Sequence, residues 1–94
     1  MPKIHVLVSA NLKERLGHAR FSVEGKTALG VLEAMAGHHE YGSSFREEVY
    51  TPGKPAKPYC IFMLNGHVLD AKTLGKVSVR DGDLLHIMAP VGGG

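Results

Sequence analysis

The chain has 94 residues, a formal net charge of +2 and a hydrophobic content of 44%. This length supports one domain built around one core. The lysines and arginines are scattered instead of clustered, which argues against a nucleic-acid-binding surface. The single cysteine, Cys60, excludes an internal disulfide framework and favours a reducing, cytoplasmic location. No segment has the length of a membrane span, and the first residues lack the pattern of a signal peptide.

Two strands are predicted near the start of the chain. Residues 3–10 alternate in character, which predicts a strand buried on one side. The residues on the buried side are Ile4, Val6 and Val8. Residues 11–19 break this alternation, and Gly17 follows two leucines spaced four apart, which indicates a helical turn or a structured loop. Alternation returns at residues 20–24, so we expect a hairpin of two strands.

The main helix is predicted over residues 28–36. Its apolar residues recur at helical spacing and form one stripe. The stripe comprises Ala28, Val31, Leu32 and Met35. Thr27 suits the N-cap position and Gly37 suits the end of the helix. We expect this helix to pack on the sheet.

The middle of the chain, residues 41–59, is irregular. Ser44 and Glu47 have the spacing of a capping box, which predicts one short helical piece. The stretch 52–58 contains three prolines and cannot continue a helix. It is therefore predicted to form an exposed loop.

A second hairpin is predicted over the next ten residues. Residues 60–64 have the composition of a strand. Asn65-Gly66 is a strong signal for a two-residue turn, and residues 67–69 return from it.

A connection follows over residues 70–79, with Leu74 and Val77 expected to point to the core. Residues 80–83 have the composition of a turn. The last strand begins directly after this turn, at Leu84.

The last strand is expected to stop at Pro90, because proline cannot donate a hydrogen bond to a strand ladder. Residues 91–94 read Val-Gly-Gly-Gly, and glycines have no side chains to pack. We therefore expect a body domain of residues 1–90 and a glycine-rich tail of residues 91–94. Such a tail is thin enough to enter a narrow channel and present the Gly94 carboxylate there, for recognition or for reaction. The alternative is a disordered terminus without a function.

The order of elements is strand, strand, helix, strand, short strand, strand. This order is not the regular alternation of a doubly wound sheet. It predicts an α+β fold with a mixed sheet of about five strands and one main helix packed across it. Residues that alternate with the buried ones form the opposite sheet face, where exposed apolar side chains mark a partner surface. The residues predicted to bind partners there are Leu7, Ile61, Met63, His86 and Met88. The alternative is that some of them are half-buried under loops.

Other candidates for chemistry are weak. His38, His39 and Glu40 are adjacent, so they do not share a helical face, and no second cluster has the spacing of metal ligands. Cys60 is interpreted as a small buried residue and not as a nucleophile. The sequence shows no Ser/His/Asp arrangement, phosphate-binding loop or carboxylate pair. It therefore predicts neither a metal site nor a catalytic apparatus.

Taken together in their order, these segments resemble the MoaD/ThiS family of ubiquitin-like sulfur carriers, and most of all the small subunit of molybdopterin synthase. The segments that carry the resemblance are residues 4–8, 16–17, 27–35, 64–66, 79–83 and 90–94. The resemblance implies a β-grasp fold. The sequence departs from the family pattern in its third tail glycine, Gly92, and in the long proline-rich loop.

The resemblance also implies a chemistry for the tail. An E1-like enzyme uses ATP to adenylate the Gly94 carboxylate, and a sulfur donor converts the product to a thiocarboxylate. Pro90, Val91, Gly92 and Gly93 would be inserted into the active site of the activating enzyme. The protein would then be a carrier without a permanently bound cofactor, and not an enzyme. Its acceptor would be the large subunit of molybdopterin synthase, in molybdenum cofactor biosynthesis.

Alternatives to this function stay open at this point. The same activation could join Gly94 to lysines of other proteins, as in a ubiquitin-like modifier. The sulfur could also serve thiamine synthesis, tRNA thiolation, cysteine synthesis or tungsten cofactor assembly, because the carrier chemistry is identical. A third class is an interaction module whose tail is inert.

Overall fold

The computed structural model describes residues 1–90. Within this range it contains five strands, three α-helices and one 3-10 helix. In chain order they are β1 (Lys3–Val8), α1 (Ala10–Leu16), β2 (Arg20–Glu24), α2 (Ala28–Ala36), α3 (Gly42–Glu48), β3 (Ile61–Leu64), β4 (His67–Val68), the 3-10 helix (Ala71–Lys76) and β5 (Leu84–Met88).

The strands form one mixed sheet in the order β2-β1-β5-β3-β4. Antiparallel pairing joins β1 to β2 and β3 to β4, which confirms both predicted hairpins. The last strand, β5, lies at the centre, parallel to β1 and antiparallel to β3. The predicted mixed sheet of about five strands is therefore confirmed.

The core lies between the helices and one face of the sheet. Alternate strand residues point into it, and the least exposed of them are Ile4, Val6, Phe62, Leu85 and Ile87. On the helix side, the whole apolar stripe predicted for α2 has zero exposure. All these residues belong to one hydrophobic cluster. The main helix therefore packs across the sheet as expected.

Three local signals in the sequence are confirmed by backbone geometry. The Thr27 hydroxyl accepts a hydrogen bond from the Gly30 N–H at 3.0 Å and so caps α2. Gly17 ends α1 in the left-handed conformation, with φ of 91°. Asn65 and Gly66 both have positive φ, 49° and 85°, as the predicted two-residue turn requires.

The ends of some strands differ from the prediction. The first strand stops at Val8, because helix α1 already begins at Ala10. The third strand starts at Ile61 and not at Cys60. The region predicted as a helical turn or loop is thus a seven-residue helix.

The capping box predicted at Ser44 is wrong. Helix α3 begins at Gly42, with Tyr41 in the N-cap position, so Ser44 lies inside the helix. A tertiary contact accounts for this start, since a Cβ at residue 42 would lie 2.6 Å from the Ala36 carbonyl oxygen. The Arg46 guanidinium also donates to that carbonyl. The end of α2 therefore fixes where α3 begins, and glycine permits the close approach.

The proline-rich stretch is an exposed loop, as predicted. It is tied at its base by a 2.8 Å hydrogen bond from the Lys57 N–H to the Val49 carbonyl, and Ala56 packs against the core. The connection of residues 70–79 buries Leu74 and packs Val77 on the core, which confirms the predicted direction of both side chains.

The contact between α2 and α3 makes a prediction that opposes helix propensity. Replacing a helical glycine by alanine ordinarily stabilises a helix. We expect Gly42→Ala instead to lower the free energy of unfolding by about 1–3 kcal/mol, because the added methyl meets the Ala36 carbonyl. The measurement is urea denaturation followed by circular dichroism.

The matched control is Gly37→Ala at the end of α2. A Cβ there has its nearest neighbour at 3.6 Å, an ordinary contact, so this variant should be neutral or slightly more stable. A Gly42→Ala protein as stable as the control would contradict the assigned packing.

Candidate functional site

The face of the sheet opposite the helices carries a continuous set of mainly apolar side chains on its three central strands. We call this set the outer face, and it consists of His5, Leu7, Ile61, Met63, Leu84, His86 and Met88. Pairing places Leu7 and Met63 on either side of His86, with Ile61 beside Met88. The structure thus brings the five predicted partner-binding residues together on one face. Binding of a partner there remains a prediction.

The outer face is accessible to a partner. Ile61 is 48% exposed and the other six residues are half-buried, and none of the seven belongs to the core cluster. Val68, which pairs with Met63, continues the apolar surface on β4 and is 70% exposed. Apolar side chains collected in this way are typical of a surface that another protein covers.

A polar border follows the outer face along the edge strand β2. The register sets Arg20 beside Leu7, Ser22 beside His5 and Glu24 beside Lys3. An apolar centre with a polar rim is the usual composition of a protein–protein interface.

The predicted set of partner-binding residues did not include two members of the outer face, His5 and Leu84. Both follow from alternation, since each lies two residues before a residue that was predicted. His5 carries, among the described residues, the one buried side-chain polar atom without a hydrogen-bond partner, its Nδ1. This nitrogen is unusual, because buried polar atoms are nearly always paired.

The point where the chain leaves the sheet is held by two side chains that follow β1. The Ser9 hydroxyl accepts a hydrogen bond from the Ala89 N–H at 3.2 Å and lies 2.8 Å from Asn11 Oδ1. The Asn11 amide nitrogen donates to the Pro90 carbonyl oxygen at 3.1 Å. We call Ser9 and Asn11 the exit clamp. Both residues are half-buried.

The exit clamp uses a side chain that ordinarily serves a helix. Ser9 occupies the N-cap position of α1, where a serine hydroxyl normally accepts from the first helical N–H groups. In the described structure that hydroxyl makes no capping bond to α1. Sequence reasoning missed the exit clamp, because its partners lie about 80 residues away and the β1–β5 pairing has no local signal.

Pro90 is exposed at the end of the described chain and follows Ala89, which is buried. The predicted tail residues Val91, Gly92, Gly93 and Gly94 lie outside the described residues. Directly before the exit, Met88 and Ile61 form the pair of the outer face that is nearest to Pro90. The outer face and the exit of the chain are therefore adjacent.

Cys60 is buried, as predicted, and its thiol lies 3.5 Å from the Glu48 carbonyl oxygen. Burial, together with the nearby Glu48 carboxylate, raises the pKa of this thiol to about 11. Only the thiolate is a good nucleophile, so this cysteine is poorly suited to accept or transfer sulfur.

The histidines near the end of α2 stack on neighbouring rings. His38 stacks on Tyr41 with ring centroids 4.1 Å apart, and on His39 at 4.6 Å. No group of three or more histidine, cysteine or acidic residues within the range 1–90 has the geometry of a metal site. In the same part of the chain, no helix is long and apolar enough to cross a membrane.

A mixed sheet in the order β2-β1-β5-β3-β4, with its first and last strands parallel and adjacent and with helices on one face, is the β-grasp fold of the ubiquitin-like class. The model of the ThiS family matches residues 6–94. The chain therefore belongs to the ThiS family, whose members are small ubiquitin-like sulfur carrier proteins and not catalysts.

Solved structures share the fold of this chain. The crystal structure of SAMP1 from Haloferax volcanii is 22% identical with a TM-score of 0.79, over 98% of this chain and 99% of that one. CysO from Mycobacterium tuberculosis, described as an antigen, is 20% identical with a TM-score of 0.73, over 94% and 99%. A complex of subunits 1 and 2 of the molybdopterin-converting factor from Helicobacter pylori contains a chain that is 18% identical, with a TM-score of 0.61, over 98% and 99%. At these identities the likeness establishes the fold. No curated protein sequence gives a significant match.

The environment of Cys60 predicts slow thiol chemistry. Its pKa of about 11 lies two units above the ordinary 9.0, so the thiolate fraction near neutral pH falls about 100-fold. We expect a thiol reagent such as DTNB to react with the folded protein at least about tenfold more slowly than with the urea-unfolded chain at about pH 8, because the higher nucleophilicity of a more basic thiolate offsets part of its lower abundance. The rate should rise as the pH approaches the folded pKa. A folded protein that reacts at nearly the unfolded rate would contradict the buried, unactivated thiol.

Proposed function

We propose that this protein carries sulfur as a thiocarboxylate on Gly94, after adenylation of the Gly94 carboxylate by an E1-like enzyme that uses ATP. The observation that carries the proposal is the adjacency of the outer face to the exit of the chain. A partner docked on the outer face lies directly beside the segment that leads into the tail. We place this chemistry in the cytoplasm, in keeping with one buried, unpaired cysteine.

The tail chemistry has two steps. A carboxylate oxygen is a poor leaving group, so the activating enzyme joins Gly94 to AMP as a mixed anhydride and releases pyrophosphate. Sulfide then attacks the carbonyl carbon, the new C–S bond forms, and AMP leaves. A persulfide donor gives the same product once a thiol cleaves the intermediate acyl disulfide. The protein itself is the group carrier in both cases.

Glycine suits both steps. Residues without a Cβ enter a narrow active site and leave the carbonyl unhindered. The four residues 91–94 span at most about 14 Å when fully extended. The reactive centre of each partner must therefore lie within that distance of Pro90 while the body is docked.

Recognition of the body falls to the outer face. A carrier must meet an activating enzyme and an acceptor in turn, so its contact surface has to suit more than one partner. Met63 and Met88 favour this, because the methionine side chain is flexible and adapts to different surfaces. Ile61 pairs with Met88 and is the most exposed apolar residue of the outer face.

For the acceptor pathway we propose molybdopterin synthesis, with the large subunit of molybdopterin synthase as the partner that consumes the thiocarboxylate. The approach to the glycines through Pro90-Val91 supports this branch, as does the likeness of fold to the Helicobacter pylori complex. A second candidate is a protein modifier that joins Gly94 to lysines. The fold is also similar to that of SAMP1, whose full name is small archaeal modifier protein 1, and this likeness supports the second candidate.

Reconstitution in vitro distinguishes the sulfur carrier from the protein modifier. The thiocarboxylated protein is mixed with a molybdopterin synthase large subunit and the sulfur-free pterin precursor, and pterin product is measured. Molybdopterin formation supports the proposed pathway. Lysine-linked conjugates in host extracts, without pterin product, would favour the modifier.

Adenylation of the Gly94 carboxylate, and its dependence on the body and the tail, is tested by ATP–pyrophosphate exchange with the E1-like adenylating enzyme from the same genome. The wild-type chain should support exchange. Deletion of Gly93 and Gly94 should abolish it while leaving the unfolding temperature unchanged, because both residues follow the last strand. Met63→Asp should raise the KM for the carrier at least about tenfold, because a charge enters the apolar docking surface.

The matched control for the docking surface is Ser22→Asp. Ser22 lies on the same side of the sheet but in the polar border on β2, so its KM should stay near the wild-type value. Unchanged KM in Met63→Asp, or equal loss in both variants, would contradict docking through the outer face. Absence of exchange with the wild-type chain would contradict the proposed activation.

A further inference from the structure

The exit clamp holds the last described residues after the sheet ladder has ended. The ladder pairs of β5 stop at Met88, where it faces Ile61. Beyond that point Ser9 holds the N–H of Ala89, and Asn11 holds the carbonyl of Pro90. Proline has no N–H, so its carbonyl is its only main-chain hydrogen-bonding group. Asn11 therefore holds Pro90 by the one such group that the residue offers.

The two side chains of the exit clamp also fix each other. The Ser9 hydroxyl lies 2.8 Å from Asn11 Oδ1, while Asn11 uses its amide nitrogen for Pro90. Each side chain is thus oriented by the other before it reaches the exit. The main chain adds a third tie, because the Ser9 N–H donates to the Ile87 carbonyl at 3.1 Å.

We propose that Ser9 and Asn11 are positioning residues that set the direction in which the tail leaves the body. This inference rests on the proposed function, in which the Gly94 carboxylate must reach a reactive centre. With the exit clamp intact, two residues before the tail are already oriented when the outer face docks. Without it those residues are free, and each must be ordered again in every reactive complex.

A positioning role for Ser9 and Asn11 affects kcat and KM differently. Docking through the outer face determines the KM for the carrier. Insertion of the tail follows as an intramolecular step, so misdirection of the tail lowers kcat. Ser9→Ala and Asn11→Ala should each lower kcat for ATP–pyrophosphate exchange about tenfold, with KM nearly unchanged. Ser9→Thr retains a hydroxyl and should restore kcat.

The matched control lies at the other end of β5. There Asn65 accepts from the Leu84 N–H at 2.9 Å and donates to Asp83 at 3.0 Å, so it also ties a loop to the start of the strand. Asn65→Gly removes both bonds and suits the positive φ of 49° at that position. It should reduce stability without changing kcat.

Amide hydrogen exchange provides a readout that does not depend on activity. The Ala89 N–H should exchange faster in Ser9→Ala, and the Leu84 N–H should do so in Asn65→Gly. These two results verify that each variant opens the intended end of β5.

The outcomes distinguish the inference from the proposed function. Reduced kcat in the exit-clamp variants, rescue by Ser9→Thr and normal kcat in Asn65→Gly support the positioning role. Normal kcat in Ser9→Ala and Asn11→Ala, with faster Ala89 exchange, overturns the positioning role and leaves the proposed function intact. Equal loss of kcat in Asn65→Gly also overturns it, because the effect would be one of general stability. A wild-type chain that is never activated overturns both.

Discussion

The parallel pairing of β1 with β5 is the contact on which the rest of the structure depends. It joins the first strand to the last, so its entropic cost of loop closure is high, and buried side chains such as Val6 and Leu85 offset that cost. The same register sets Leu7 beside His86 and so assembles the outer face. It also brings Ser9 to Ala89, where the chain leaves the sheet. One pairing therefore assembles the outer face and places the exit of the chain beside it.

The body and the tail have separate roles in the proposed function. Under the proposed function, the folded body would present the outer face to partners, while the reacting group would be the Gly94 carboxylate at the end of the glycine-rich tail. Catalytic groups within the body are not required, and the only thiol, Cys60, is buried with a raised pKa. Under the proposed function, the chemistry would belong to the partners that bind the outer face. This arrangement fits a member of the ThiS family, whose proteins are carriers and not catalysts.

Much of the fold was predictable because its signals are local. The stripe of α2, the cap at Thr27 and the turn at Asn65-Gly66 act within a few residues, and the structure confirms them. The start of α3 was not predictable, since it is fixed by contact of Gly42 with the Ala36 carbonyl. At the site, alternation located five outer-face residues, whereas Ser9 and Asn11 became visible only through the β1–β5 pairing. Sequence patterns within a few residues therefore predict which residues share a sheet face. The order and pairing of the strands determine which residues meet where the chain leaves the sheet.

The most direct test of sulfur transfer is the intact mass of the full chain before and after incubation with ATP, its E1-like enzyme and a sulfur donor. We predict a mass increase equal to the difference between sulfur and oxygen, located at Gly94 by fragmentation and lost when Gly93 and Gly94 are deleted. An unchanged mass, under conditions in which another carrier of the ThiS family is converted by its own enzyme, would contradict the proposed thiocarboxylate.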